Sequence, residues 1–297
     1  MKVLVVTGDK NFKPGHPRYD LQRSAVEEFA CVYWGRGNMR PKVPEGHFDV
    51  VTSQDPFLRG IFTLRVARRK KAKFNVQVHA DLNAQPFWKH VLAQIVLRHA
   101  DSVRVVSQKS KEQVERMGLK VKITMLPVFV DTSAFAAISR KQHEGKNILW
   151  IGRFEEEKDP LFAMKVLQEV LKSIPDARLT MLGAGSMEES LKTAAQDLPV
   201  TFTGWQDPIQ YLAEADVVLS TSPAESYGAS VVEALAAGVQ VVALDVGVAK
   251  EAGAIVELRN NLAKGVVHVL RNQVRGVLKI PALNEHEWVQ RWKESLI

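Results

Sequence analysis

The 297-residue chain is 46% hydrophobic and 25% charged, which suits a soluble globular protein of two ordinary domains and excludes a disordered polymer. Its one cysteine, Cys31, excludes a disulfide framework and fits a reducing, cytoplasmic setting, and no apolar run reaches the roughly 18 residues a spanning helix needs. The net charge of +7 favours anionic partners, but aromatic residues do not interleave with the basic runs, so nucleic acid is not expected.

In chain order, the apolar start predicts a strand over Lys2–Val6, followed by a loop to Gly15 that holds separated glycines at Gly8 and Gly15. Strands are predicted over Phe48–Val51, Asn75–His79, Ser102–Ser107 and Thr124–Leu126. Arg65, Arg68, Arg69, Lys70, Lys71 and Lys73 form a basic cluster, with Arg98, Arg104, Lys109 and Lys111 beyond it. Such a cluster is either a set of solvated helix ends or a surface for anionic lipid, and peripheral contact with the inner membrane face is the reading it motivates. Polar residues over Ala134–Lys146 predict a linker. Further strands are predicted over Asn147–Ile151, Arg178–Leu182, Val217–Leu219 and Val241–Leu244. Several are continuous apolar runs, as in parallel strands covered on both faces. One helix is expected to start at Asp159 as cap with Pro160 in its first turn, and another at Ser186 with Glu189 as a capping box. A last helix over Asn284–Leu296 places Trp288, Trp292 and Leu296 on one face. Strands alternating with helices twice over predict an α/β protein of two doubly wound Rossmann-like domains. The expected limits are residues 1–140, then 141–275, with 276–297 returning as a helix to the first domain.

Candidate chemistry gathers where predicted strands end. Arg153 and Lys158 follow a strand and could neutralise a diphosphate. Gly183 and Gly185 allow close backbone approach after another strand. In the run Ser222–Gly238, Glu225 and Glu233 bracket Gly228 and a helix start. Backbone N–H groups at such a start hold phosphates, and carboxylates accept hydrogen bonds from the vicinal hydroxyls of a sugar or ribose. His79 ends a strand, where it is either a satisfied structural residue or a group reaching an interdomain cleft. Asp81 could orient acceptor hydroxyls or act as their base. Scattered histidines and the absence of an Asp-x-Asp triplet argue against a metal site, and no cofactor is expected beyond a donor substrate.

The Ser222–Gly238 run resembles the Glu-x7-Glu signature of retaining GT-B glycosyltransferases of family 4, matched at Pro223, Glu225, Tyr227, Gly228, Glu233, Ala234, Ala237 and Gly238. Gly152, Arg153 and Lys158 look like the family's diphosphate-holding element, and Gly183-Ala-Gly185 like its Gly-x-Gly turn. The resemblance implies a GT-B fold whose two domains face a cleft. It also implies transfer of a sugar from a UDP- or GDP-linked donor to a glycan or lipid-linked acceptor, as in polysaccharide biosynthesis. By resemblance, Arg153 and Lys158 hold the diphosphate, Glu225 contacts donor sugar hydroxyls and Glu233 the ribose. His79 then lies near the donor sugar, and Tyr227, Gly228, Ala229 and Ser230 offer backbone N–H groups. Trp205 is placed near the base, and Gly8 and Gly15 on the acceptor side with Asp81. The pattern departs from the family at the first loop, which lacks a Gly-Gly pair, at Ser226-Tyr227, and in a compressed tract after Leu244. A sugar-nucleotide binder without transferase activity and a sugar-nucleotide epimerase are the alternative readings.

Overall fold

The computed structural model describes residues 1–141 and 146–297. The linker prediction therefore lies partly outside the described residues. In chain order the elements are β1 (Lys2–Thr7), α1 (Pro17–Ser24), β2 (Glu28–Tyr33), β3 (Val50–Ser53), α2 (Leu58–Lys70), β4 (Lys73–Val78), α3 (Phe87–Arg98), β5 (Ser102–Val105), α4 (Gln108–Glu115) and β6 (Lys122–Met125). They continue with α5 (Ser133–Ala136), β7 (Lys146–Ile151), α6 (Pro160–Leu171), β8 (Ala177–Leu182), α7 (Glu188–Ala194), β9 (Val200–Gly204), α8 (Pro208–Leu212) and β10 (Val217–Ser220). The last are α9 (Ala229–Ala236), β11 (Gln240–Ala243), α10 (Ala249–Ala252), β12 (Ile255–Val256), α11 (Leu262–Asn272) and α12 (Glu285–Ser295).

The chain forms two compact units, Met1–Phe129 with Leu283–Ile297, and Val130–Ala282. Each holds one six-stranded sheet, and every strand pair in both sheets is parallel. In the first unit the order is β2-β1-β3-β4-β5-β6, and in the second β12-β11-β10-β7-β8-β9. Both are doubly wound, because the chain steps outward in opposite directions from one internal strand. The reversal falls between β1 and β3 in the first unit and between β7 and β10 in the second. Fully covered strands such as β1, β4 and β11 are continuous apolar or buried runs, as burial on both faces requires.

The core of the second unit packs Ile148, Trp150 and Leu179 of the sheet against Ala163, Leu167 and Val170 of α6 and Val266 and Leu270 of α11. Helix α6 begins with Pro160, whose fixed φ suits a first turn. Asp159 before it adopts a left-handed φ of 47° and makes no side-chain cap. Its carboxylate pairs instead with Arg259 at 2.5 Å. The expected capping box at Ser186 is also absent: Ser186 donates from its N (2.9 Å) and Oγ (2.6 Å) to Glu155, and α7 starts at Glu188.

Helix α12 belongs to the first unit. Asn284 and Glu287 close a capping box at its start. Its buried Trp288, Trp292 and Leu296 then join Val3, Val5, Phe29 and Leu126 in one cluster.

Candidate functional site

Ligands of open α/β sheets gather beyond the carboxyl ends of the strands, at the point where strand order reverses. In the second unit that point lies beyond β7 and β10. The loop after β7 carries Gly152, Arg153 and Lys158, and the loop after β10 carries Glu225. Between them sits Thr221, fully buried. Its hydroxyl accepts from Trp150 Nε1 (2.9 Å) and faces the carbonyls of Lys158 (3.0 Å) and Asp159 (2.9 Å). These bonds fix the turn that presents Lys158, whose Nζ is ion-paired with Glu225 Oε1. Both side chains are largely buried, at 22% and 17% exposed. Arg153 stands apart from them: it is 60% exposed and pairs with Glu157 at 2.7 Å.

The glycines after β8 meet protein, whatever else they approach. A Cβ on Gly183, at φ 154°, would collide with the carbonyl of Gly152, and one on Gly185 would lie 2.5 Å from the carbonyl of Phe154. Phe154 N donates to the Ala184 carbonyl (2.9 Å) and Met187 N to the Phe154 carbonyl (2.9 Å). The two βα loops are thus locked backbone to backbone, and Glu155 adds a second tie through Ser186. Those hydrogen bonds from Ser186 hold the Glu155 carboxyl below its ordinary range.

Helix α9 starts after Gly228, whose φ of 95° turns the chain into the helix with Ala229 and Ser230 first. Tyr227 is buried, and burial first, then the Glu251 charge, pushes its hydroxyl up to about 12. Its carbonyl accepts from Val248 N (2.9 Å), and Gly247, at φ 53°, has no room for a side chain against that carbonyl. Glu233 follows on α9, half-buried, and burial raises its carboxyl above the ordinary glutamate value. Among the described residues no donor reaches that carboxylate. Trp205, beyond β9, is 57% exposed.

In the first unit the reversal point lies beyond β1 and β3. Gly8 follows β1, and the space of a side chain there is filled by the guanidinium of Arg59. Arg59 is ion-paired with Asp55 and donates from Nε to the Trp34 carbonyl at 3.2 Å, and burial lowers its pKa. Gly15 serves a turn at φ 89° and donates to Asp20. His79 follows β4; its Nε2 lies 3.3 Å from Gln77 Oε1, and burial, then Arg104 and Arg18, push its pKa down to about 3. Asp81 accepts from Gln113 Nε2 (2.7 Å) and Asn83 N (3.0 Å) and lies 3.5 Å from Lys109 Nζ.

One member of the expected basic surface is misplaced by the sequence reading. Arg104 alternates with the apolar residues of β5 and is 1% exposed, so it is a core residue and attracts no surface ligand. Sequence reasoning also missed Thr221, Glu155, Arg59 and Gln77. Each acts through contacts between loops or strands far apart in the chain, for which no local motif exists.

Residues 2–134 match the Glycosyltransferase Family 4 model and residues 145–272 the Glycosyl transferases group 1 model. Over 232 residues the chain is 27% identical to the GDP-mannose-dependent alpha-(1-6)-phosphatidylinositol dimannoside mannosyltransferase of Mycobacterium tuberculosis, covering 72% of this chain and 60% of that protein. It is 24% identical over 250 residues to the alpha-monoglucosyldiacylglycerol synthase of Streptococcus pneumoniae, covering 74% of this chain and 57% of that one. The chain thus spans about 60% of the length of these curated relatives. Sucrose-phosphate synthase from Thermosynechococcus elongatus superposes with a TM-score of 0.71 at 15% identity, over 99% of this chain and 94% of that one. Anabaena HepE in complex with UDP and glucose gives 0.68 at 14%, over 100% and 99%. The fold is that of the GT-B glycosyltransferases, two parallel-sheet α/β units of six strands each. Within that class the chain belongs to family 4, the group 1 glycosyltransferases.

Proposed function

We propose that this protein transfers a sugar from a UDP- or GDP-linked donor to an acceptor hydroxyl, retaining anomeric configuration and using no metal. The observation that carries the reading is the Lys158–Glu225 pair at the strand-order reversal of the second unit, with the half-buried carboxylate of Glu233 on the adjoining helix. As the sugar–phosphate bond breaks, negative charge grows on the departing diphosphate. Lys158, with Arg153 from the same loop, stabilises that charge more in the transition state than in the ground state. Glu225 accepts from donor sugar hydroxyls and Glu233 from the ribose. The backbone N–H groups of Tyr227, Gly228, Ala229 and Ser230 take phosphate oxygens, and Ser230 adds a hydroxyl. Gly152, Gly183 and Gly185 shape the phosphate side, and exposed Trp205 offers a face to the base. His79 of the first unit stands near the donor sugar, and Asp81, Gly8 and Gly15 stand on the acceptor side.

A lipid-linked or surface glycan is the proposed acceptor. A phosphatidylinositol dimannoside and a diacylglycerol stand in the names of two relatives. Titration calorimetry with UDP, GDP and ADP tests the donor half, and nucleotide release that requires an added acceptor tests the transfer. One of the three nucleotides is expected to bind, and Glu233→Ala to weaken it about tenfold or more, since ribose hydroxyls lose a buried acceptor. Binding by none of the three, or binding untouched by Glu233→Ala, rules the assignment out.

A further inference from the structure

We infer that Arg104, acting through Gln77, fixes His79 as a neutral ring that donates from Nε2 and keeps Nδ1 as its hydrogen-bond acceptor. Two groups at the ends of this line of hydrogen bonds have forced roles. A guanidinium only donates, and a carbonyl only accepts. Arg104 Nη1 lies 2.7 Å from one atom of the Gln77 amide, so that atom is the oxygen. At the other end, the Ser295 carbonyl lies 2.9 Å from one atom of the Asn75 amide, so that atom is the nitrogen.

The two ends meet without conflict. The Asn75 nitrogen also donates to Ser102 Oγ (2.9 Å), whose hydrogen goes to the Leu296 carbonyl (3.0 Å). The Asn75 oxygen then accepts from the Thr52 hydroxyl (2.7 Å), and Thr52 accepts from the Gln77 nitrogen (3.0 Å). Neither amide can flip without placing two donors or two acceptors face to face. The Gln77 oxygen is therefore also what faces His79 Nε2 at 3.3 Å, and that ring nitrogen carries the proton.

The charge around the ring agrees. Arg104 is buried and its partners are neutral: Gln77, the carbonyls of Leu126 (3.1 Å) and Pro127 (2.9 Å), and the Trp288 ring at 5.2 Å. Among the described residues no carboxylate pairs with it. Burial, then Arg18, lowers Arg104 to about 9, and the same two arginines with burial hold His79 at about 3. A second positive charge on the imidazole is opposed from β5 and from α1, and Asp81 follows it in the next turn.

The consequence rests on the transferase reading above. His79 does not act as a general acid. It is a hydroxyl acceptor at Nδ1, and Arg104 and Gln77 are positioning residues. The line of bonds ends on carbonyls of the last helical turn, so α12 takes part in setting the ring.

Two-bond proton–nitrogen correlations on the full chain labelled with ¹⁵N-histidine test this, with His79 assigned by the signal lost in His79→Phe. The expected wild-type spectrum at neutral pH is the neutral ring protonated at Nε2. A ring protonated at Nδ1, or an imidazolium, overturns the inference. Gln77→Leu should let the Nδ1-protonated form appear and lower kcat/KM for the donor about tenfold, the equivalent of one hydrogen bond. Gln77→Glu, which keeps an acceptor between Arg104 and His79, should retain the Nε2 proton, raise the His79 pKa and recover part of the loss. An unchanged tautomer in Gln77→Leu also overturns it. Turnover by His79→Phe at the wild-type rate would instead defeat the transferase role of His79, whatever the spectrum shows.

Discussion

At Glu233, solvation and function pull in opposite directions. Burial raises its carboxyl, with no hydrogen bond among the described residues to offset it. Below the ordinary glutamate range, folded and unfolded chains both hold the proton. As pH rises, the unfolded chain releases it first, so this group's stabilisation of the fold fades until the raised folded value is passed. Glu233→Gln, which cannot ionise, should match wild type in thermal denaturation at about pH 4 and exceed it at neutral pH. A difference that shrinks toward neutral pH would contradict the burial argument. Lys158 and Glu225 form an ion pair in which each charge neutralises the other. Lys158→Met leaves a largely buried carboxylate without its cation. It should cost about 1–3 kcal/mol by denaturant unfolding, with a matching loss of diphosphate affinity. Arg153→Ala should leave stability within about 0.5 kcal/mol, because its ion pair is exposed, while lowering turnover.

At the scale of elements, stability resides in loop-to-loop and helix-to-sheet contacts. Gly183→Ala puts a methyl group where the Gly152 carbonyl lies, at a φ that side chains rarely adopt. Backbone must move, and a loss of about 2–4 kcal/mol is expected in chemical denaturation. A neutral result would mean the two loops do not pack as described. These contacts mark the boundary of what could be read beforehand. The interior strands were legible because burial on both faces writes them as apolar runs. The unrecognised strands, β2, β9 and β12, all lie at sheet edges. An edge strand pairs on one side only and can stay partly exposed, so Val200-Thr-Phe-Thr-Gly204 carries no continuous apolar signal. At the site, the glutamates, the lysine and the glycines were legible as a motif at fixed spacing. The Lys158–Glu225 contact and the Arg104–Gln77–His79 line were not. They join residues 67 and 27 positions apart, with two more from Gln77 to the histidine, and arise only when strands pair. Arg104 shows the failure most plainly. In sequence it is one more cation beside Arg98 and Lys109, and only the pleat of β5 turns it inward.

At the scale of the molecule, charge and apolar exposure concentrate on one face of the first unit. Between Leu58 and His99 there are nine lysines and arginines and a single acidic residue, Asp81. Helices α2 and α3 pack side by side there. Arg65, Arg68 and Arg69 are exposed on α2, while α3 exposes Phe87, Trp88, Val91 and Ile95, which fall on one helical stripe with Arg98. Phe87 is 83% exposed, too much to be explained by the core of its own unit. A face that joins apolar side chains to cations fits the headgroup layer of an anionic bilayer, where each nearby cation contributes about 1 kcal/mol. Among the described residues no helix is long and apolar enough to cross a membrane. The protein should float with vesicles containing phosphatidylserine, bind neutral vesicles far less, and release as salt rises. Phe87→Ser with Trp88→Ser should weaken flotation about tenfold or more by removing the inserted area. They should leave nucleotide binding unchanged, because neither is among the residues proposed to hold the nucleotide. Equal flotation with neutral and anionic vesicles would remove the electrostatic half of the argument, and full binding by the double variant the apolar half.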